Sequence, residues 1–160
     1  MRHTISVLVE NKFGVLARIA GLFSGRGYNI ESLSVAPTLD PTVSRMTIVT
    51  SGDDRVLEQI NKQLNKLIDV IKVWDVTQKE FVDRELVLVR VEVSKDKRDE
   101  LFRVAERFEA RIADVGERSV TLEATGDEAR IEDLIRLLKP LGIREFVRSG
   151  RVAILKSEQK

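Results

Sequence analysis

A loop near the start of the chain carries residue types that suit the binding of a small anion. It runs from Asn11 to Gly14, between a strand-like segment and an apolar helix pattern. The first N–H groups of a helix, here those of Val15 and Leu16, have no partner within the helix. Because Gly14 has no side chain, a ligand can approach these donors, and the helix dipole favours a carboxylate or a phosphate there.

Two uncharged amide side chains accompany this loop. Asn11 ends the preceding strand, and Asn29 opens the next strand just after the helix. Amides donate and accept hydrogen bonds without charge, which suits the carboxylate and the ammonium of a zwitterion. The surrounding residues are aliphatic, so the pattern favours a small amphoteric ligand with an apolar tail over a sugar or a nucleotide. A glycine is also common at a strand–helix junction, and a purely structural role for Gly14 stays open.

The sequence offers little material for catalysis or for metal binding. It has no cysteine, and its one histidine, His3, is too few for a metal cluster or a catalytic triad. Carboxylate pairs such as Asp53–Asp54 and Asp127–Glu128 precede helix patterns, where they are expected to cap the helices. No phosphate-binding motif of the GxGxxG or GxxxxGK type follows a predicted strand. We therefore expect no active site and no metal site.

Composition and charge argue against nucleic acid and membranes as partners. The chain has 160 residues, with 27 Lys and Arg against 26 Asp and Glu, so its net charge is +1 and it exerts no strong field on polyanions. Aromatic residues make up 5%, too few for the base-stacking strands of RNA-binding modules that share the strand–helix order described below. No apolar run is long enough to span a bilayer and no signal peptide is recognised, so we expect a cytoplasmic protein.

The first half of the chain predicts the element order βαββαβ. Thr4–Glu10 alternates apolar and polar residues as a half-buried strand does. An apolar helix pattern follows and stops near Gly25 and Gly27. The segments "NIESLSV" and "SRMTIVTS" then predict two strands joined by a proline-containing hairpin loop. A second helix leads into a closing strand at Asp69–Val76.

The second half repeats this order without repeating the residues. "RELVLVRVEV" predicts a strand, two helix patterns flank a hairpin around Glu117–Arg118, "IREFVRS" predicts the closing strand, and "RVAIL" is a candidate for one more. The predicted fold class is therefore α+β, with two ferredoxin-like βαββαβ modules in tandem, each an antiparallel sheet with both helices on one face. We place the domains at residues 1–79 and 80–160.

A sheet with helices on one side leaves its other face uncovered. In the first half, Ile5–Val9 and Met46–Val49 supply apolar candidates for that face, more than a monomer exposes comfortably. Pairing with a second copy would bury them. We therefore expect a homodimer formed through the first module.

The segment from Ser6 to Thr50 resembles the ACT domain of the acetolactate synthase small-subunit family. The specific motifs are "RGYNIESL" and "DPTVSRMTIV", whereas the N-x-x-G loop from Asn11 to Gly14 is shared by ACT domains more widely. The resemblance covers residues 1–79 strongly. The remainder is similar to the C-terminal domain of that family in length and in strand–helix order, with "RSGRVAIL" as its most familiar segment.

The resemblance implies a regulatory subunit without catalysis of its own, acting in valine, isoleucine and leucine biosynthesis. Members of the family bind and activate a catalytic subunit, which condenses two pyruvates to acetolactate, and they confer feedback inhibition by branched-chain amino acids such as valine. Thiamine diphosphate, Mg²⁺ and FAD are accordingly expected on the catalytic partner, with no cofactor on this chain.

The resemblance also implies the position of an amino-acid effector site, at the interface of an ACT dimer. Transferred to this sequence, the site takes Asn11, Gly14, Val15 and Leu16 from one chain and Asn29 and Ile30 from the other. Phe13 departs from the family, in which this loop position is often small, polar or proline.

Two other functions stay open. One is a stand-alone ACT-type amino-acid sensor acting on transcription or on another enzyme, although a DNA-binding helix pair and a basic patch are missing from the sequence. The other is a ferredoxin-like enzyme such as an acylphosphatase, which needs an anion-binding arginine in the first loop, whereas Arg18 lies inside the helix pattern. Copurification with a thiamine-dependent subunit separates the regulatory subunit from the sensor, and turnover by the isolated chain would support the enzyme.

Overall fold

The computed structural model describes residues 1–157 and divides the chain into two compact units. The first unit comprises Met1–Val82 and the chain from Arg151 onward, and the second comprises Asp83–Gly150. Within residues 1–157, no helix has the length and the apolar character that crossing a membrane requires.

The first unit has the predicted βαββαβ order. Its strands form one antiparallel sheet in the order β2-β3-β1-β4, so β1 and β3 are inner strands and β2 and β4 are edges. The elements are β1 (Arg2–Glu10), α1 (Val15–Ser24), β2 (Ile30–Pro37), β3 (Val43–Ser51), α2 (Asp54–Leu64) and β4 (Val70–Asp75).

The second unit repeats this order with β5 (Phe81–Glu92), α3 (Arg98–Arg107), β6 (Arg111–Val115), β7 (Ser119–Gly126), α4 (Glu128–Leu138) and β8 (Ile143–Arg148). Its strands form a sheet in the order β6-β7-β5-β8. A further strand, β9 (Val152–Leu155), belongs to the first unit and pairs with β5, which begins in that unit. Two antiparallel sheets in a ferredoxin-like arrangement confirm the predicted fold class, and β9 confirms the candidate strand at "RVAIL". The domain limits at residues 79 and 80 stay a prediction.

Alternation of side chains along β1 builds the first core. Ile5, Val7 and Val9 are fully buried, and they pack against buried residues of both helices, such as Phe23 of α1 and Ile60 of α2. Because successive side chains of a strand point to opposite faces, both helices lie on the face that these three residues share. Alternate valines of β5 build the second core in the same way.

Aspartates begin two of the helices, as the sequence predicts. Asp53 accepts a hydrogen bond from the Val56 N–H at 2.9 Å, and Asp127 accepts one from the Arg130 N–H at 2.9 Å. Each cap satisfies a donor that the helix leaves unpaired and stabilises it by about 0.5–2 kcal/mol. The two leading carboxylates of these acidic pairs therefore have a structural role.

The face of the first sheet opposite the helices carries both polar and apolar residues. The β1 valines lie in the core instead, whereas Thr4, Ser6 and Leu8 of β1 share the outer face with Val49 of β3, which pairs with Thr4. Arg151 lies over this face: its Nη1 donates to Thr4 Oγ1 at 2.9 Å, and its backbone N–H donates to Ser32 Oγ at 3.1 Å. Thr4, Ser6 and Val49 are buried within the chain itself, and the homodimer stays a prediction.

We expect the substitution Arg151→Ala to destabilise the first unit. It leaves the buried Thr4 hydroxyl without its charged partner, and an unsatisfied buried polar group costs about 1–3 kcal/mol. The free energy of unfolding from urea denaturation should fall by that amount. Arg111→Ala on the exposed strand β6 is the control and should change it by less than about 0.5 kcal/mol. Equal stabilities of the two variants would show that Arg151 is not needed over the sheet.

Candidate functional site

Gly14 forms the turn from β1 into α1. Its φ of 82° lies in the left-handed region, which glycine adopts without the steric penalty of a side chain. The turn is closed by the Arg18 N–H, which donates to Gly14 O at 3.0 Å, and by a longer bond of 3.4 Å from the Val15 N–H to Lys12 O. Backbone geometry alone therefore favours glycine here, whatever else the position does.

The N-terminus of α1 differs from those of α2 and α4. It has no side-chain cap and no acidic residue in its first turn, whereas Asp53 and Asp127 cap the other two. The partial positive charge of this helix end is therefore not offset by a carboxylate of its own cap or first turn. A ligand carboxylate can take that place, as the sequence predicts.

An open groove of about 260 Å³ lies beside this helix end. It brings together Asn11, Val15 and Leu16 of the predicted site, while Gly14 lies in the same loop without lining the groove. The lining, which we call the loop groove, consists of Val9, Glu10, Asn11, Lys12, Val15, Leu16, Val35, Ala36, Pro37, Ser44 and Met46. Its mixture of aliphatic walls and a few polar groups suits a small amphoteric molecule.

Lys12 lines the loop groove, although it is not among the predicted site residues. Its Nζ lies 2.7 Å from a carboxylate oxygen of Glu10. This hydrogen bond and the charge of Glu10 raise the pKa of Lys12 above its ordinary value. The only sequence signal for it is its position inside the N-x-x-G loop, where the two variable positions carry no motif.

Asn11 is engaged in holding the loop. Its Nδ2 donates to Pro41 O at 2.9 Å, and its backbone N–H donates to Thr42 O at 2.8 Å. Both bonds tie the loop after β1 to the loop between β2 and β3. The amide nitrogen is thus used within the chain, and the Oδ1 acceptor is the part of the side chain left for a ligand.

Arg18 and Asp69 hold the first turn of α1 against the loop before β4. Arg18 Nε donates to Asp69 Oδ2 at 2.8 Å, and Nη2 lies 2.6 Å from the same oxygen. The backbone carbonyl of Asp69, a buried residue, accepts the Glu10 N–H at 2.9 Å. A Cβ added to Gly14 would lie 3.0 Å from Arg18 Nη1, so this ion pair also limits what position 14 accommodates.

Asn29 and Ile30 lie at the opposite end of the sheet from the loop groove. Ile30 pairs with Thr50 on β3, whereas Pro37 pairs with Ser44 and Glu10 with Val43. The eight residues of β2 span about 24 Å. One chain therefore brings together Asn11, Gly14, Val15 and Leu16, and it keeps Asn29 and Ile30 at a distance from them.

The residues described by the structure contain no cluster of three or more His, Cys, Asp or Glu side chains arranged to hold a metal ion.

The second unit has a smaller open depression of about 120 Å³ on the outer face of its sheet. Arg90 and Glu145 line it and form an ion pair at 2.6 Å. This depression offers no paired acid and base beyond that satisfied ion pair.

Comparisons with known proteins agree across the whole chain. Residues 84–157 match the family model described as the small subunit of acetolactate synthase, and residues 5–72 match that of the AHAS small subunit-like ACT domain. The chain is 52% identical, over all 160 residues of both proteins, to a probable acetolactate synthase small subunit of Archaeoglobus fulgidus. It is 50% identical to the acetolactate synthase small subunit of Aquifex aeolicus, covering 96% of this chain and 80% of that protein. The crystal structure of the acetolactate synthase small subunit from Thermotoga maritima is similar, with a TM-score of 0.90, 37% identity and 99% coverage of both chains.

Two glycines of α1 and its turn should respond oppositely to alanine. Gly14→Ala should lower the free energy of unfolding by about 1–2 kcal/mol, because alanine is strained at a positive φ. Gly21→Ala should raise it by about 0.5–1 kcal/mol, because a Cβ there meets nothing within 4 Å and alanine favours the helix. Urea denaturation measures both. A stabilised Gly14→Ala variant would contradict the left-handed turn.

Proposed function

The chain belongs to the family of acetolactate synthase small subunits, and on that basis we propose that it activates the catalytic subunit and makes it sensitive to a branched-chain amino acid such as valine. The family membership confirms the resemblance seen in the sequence. The observation that carries the proposal is the loop groove beside an α1 N-terminus that no carboxylate of its own chain caps. This end of the helix suits the carboxylate of an amino acid.

In the proposed complex, the groove and the helix end recognise different parts of the ligand. The carboxylate lies at the N–H groups of Val15 and Leu16, where the helix dipole favours a negative charge. The Val15 N–H exchanges its long bond to Lys12 O for the ligand, and Lys12 stays paired with Glu10. The aliphatic side chain of the ligand packs on the apolar wall that includes Val35 and Met46. Such a wall accepts valine, leucine and isoleucine alike, because one methylene more or less in the ligand changes the binding free energy by only about 1–3 kcal/mol.

The proposed site is completed by a second copy of the chain. β2 is an edge strand, so one of its sides pairs with no other strand within residues 1–157. Antiparallel pairing of two β2 strands about a twofold axis places the beginning of each strand beside the end of the other. Asn29 and Ile30 of one copy then lie near Asn11 of the other. This pairing of edge strands supports the homodimer without relying on an apolar outer face.

The chemistry of acetolactate formation belongs, in this proposal, to the catalytic subunit. Thiamine diphosphate, Mg²⁺ and FAD are held there, in the cytoplasm, and the small subunit contributes binding energy and regulation but no reacting group. The decisive experiment reconstitutes the purified chain with the large subunit of the same organism and measures acetolactate formation with and without valine. Calorimetry of the isolated chain with valine, leucine and isoleucine runs beside it. Amino-acid binding without activation of the large subunit would instead support a stand-alone sensor.

We expect Gly14→Asp to abolish inhibition by valine while activation persists. Aspartate tolerates the left-handed backbone better than most residues, and the new carboxylate lies close to Arg18 and carries the charge that the helix N-terminus favours. It also repels the carboxylate of the ligand. Gly14→Asn is the matched variant, because it has the same size and backbone preference without the charge. It should retain more inhibition than the aspartate.

The measurement is acetolactate formation by the reconstituted enzyme at increasing valine, together with the melting temperature of each variant. Equal loss of inhibition in both variants would assign the effect to bulk rather than to charge. Full inhibition of the Gly14→Asp enzyme would place the ligand elsewhere. Joint loss of folding and of activation would give Gly14 a structural role only.

A mixed dimer tests whether each site takes residues from two chains. Asn29→Ala should weaken valine binding by at least about 10-fold, since hydrogen bonds to charged groups contribute about 1.5–3 kcal/mol. In a dimer of one Gly14→Asp chain and one Asn29→Ala chain, one site carries both changes and the other carries neither. Random mixing of the two variants should therefore restore about a quarter of the sites to full affinity. No recovery in calorimetry would mean that both residues act within one chain.

A further inference from the structure

Three large apolar side chains of the first unit are almost completely exposed. The exposed fractions are 107% for Leu39, 102% for Phe13 and 95% for Ile68, and the next such side chain in the described part of the chain, Met1, reaches 75%. Phe13 lies between β1 and α1, Leu39 between β2 and β3, and Ile68 between α2 and β4. We call these three residues the apolar tips. Side chains of this size that touch almost nothing in their own chain mark an interaction surface when they occur together.

The apolar tips do occur together, because their loops meet at one end of the first sheet. The Asn11 N–H bonds to Thr42 O at 2.8 Å, and the Glu10 N–H bonds to Asp69 O at 2.9 Å. These bonds link the loop of Phe13 to those of Leu39 and Ile68, on neighbouring strands about 4.8 Å apart. The loops are thus held in place while their tips are free, which is the arrangement of a preorganised binding surface.

Two cations lie near the same end of the sheet, whereas the carboxylates beside the tips are engaged within the chain: Asp40 with Thr42, Asp69 with Arg18, and Glu10 with Lys12. Arg45 and Lys72 flank Trp74, with Arg45 Cζ 5.2 Å and Lys72 Nζ 4.8 Å from the ring centroid. Both residues pair with Leu8 in the sheet register, two residues before β1 ends. Arg45 donates to Ser6 Oγ at 2.9 Å, and neither cation has a carboxylate partner within residues 1–157. A partner for this surface should therefore carry carboxylates around an apolar centre.

We propose that the apolar tips insert into an apolar depression of the catalytic subunit whose rim is acidic, and that Arg45 and Lys72 face that rim. The proposal rests on the proposed function for the existence of this partner and assigns the surface that binds it. A second copy of the chain is a less favourable partner for the apolar tips than the catalytic subunit. It would bring its own Arg45 and Lys72 against the same two cations across a twofold axis, which is unfavourable.

The apolar tips and the loop groove are formed by the same two loops, the one after β1 and the one after β2. Lys12 and Leu16, on either side of Phe13, line the groove, and so does Pro37, two residues before Leu39. A ligand in the groove therefore contacts the segments that carry two of the three tips. Regulation then follows from proximity, since any change in the groove that shifts these loops changes their fit to the catalytic subunit.

The test measures how much small subunit is needed for half-maximal activation of the large subunit. Phe13→Ser, Leu39→Ser and Ile68→Ser should each raise that concentration about 10-fold, because such tips act as interface anchors. The triple variant should raise it by at least about 100-fold, which is less than the product of the three effects, since neighbouring anchors are not additive. Arg45→Gln combined with Lys72→Gln should raise it less and should reduce its dependence on salt. The control is Ile112→Ser with Val115→Ser, two exposed apolar residues of β6, which should leave activation unchanged.

Circular dichroism, sedimentation equilibrium and valine calorimetry of each variant separate the possible outcomes. The proposal expects unchanged folding, oligomeric state and valine affinity in the triple variant, with weakened activation alone. Activation of the triple variant at the wild-type concentration would overturn it. So would dissociation of a wild-type dimer in the triple variant, because the tips would then join two copies. A wild-type chain that neither binds nor activates the large subunit would overturn the proposed function itself.

Discussion

The alternation of side chains on β1 is the constraint on which the rest of the first unit depends. Ile5, Val7 and Val9 must share the face that the helices cover, since a shift of one residue would turn all three to the other side. Their burial fixes the pairing of β1 with β3, and β3 in turn fixes β2. The ends of the strands follow from this register. Packing of the core therefore decides that the loop after β1 and the loop before β2 stand at opposite ends of the sheet.

The proposed binding site, divided between two copies in this way, would make regulation depend on assembly. In the proposed dimer, the ligand lies between two copies and favours whichever arrangement brings both halves together. The ligand can change the activity of the catalytic subunit only as far as it binds one arrangement of the dimer more tightly than another. A single chain needs no hinge of its own for this regulation. It is sufficient that the first-unit sheets of the two copies can change their contact when the ligand binds between them.

Local signals in the sequence predicted much of the fold. Strand alternation, the glycine at the start of α1, and the caps at Asp53 and Asp127 involve residues within a turn of one another, so they could be predicted from the sequence. The interactions that were missed join distant positions. Arg18 and Asp69 are 51 residues apart, and Arg151 and Thr4 are 147 apart. Only the folded chain shows that Arg151 lies over the outer face, and that Ile5, Val7 and Val9 belong to the core rather than to that face. All the predicted site residues stay a prediction, and Asn29 and Ile30 need a second chain as well.

The start of α1 shows what a chain gives up for the proposed binding site. An aspartate with an extended backbone one residue before the helix would stabilise it by about 0.5–2 kcal/mol, as it does for α2 and α4. The chain places Gly14 there instead, with a positive φ and no cap. That loss is partly offset nearby, because Arg18 and Asp69 tie the first turn to the loop before β4. The turn is therefore held from the side by this ion pair, and the end of the helix stays open. A ligand can then supply the carboxylate that a capping aspartate would otherwise provide. Stability at this helix end then depends on ligand concentration, which is the property that a regulatory site requires.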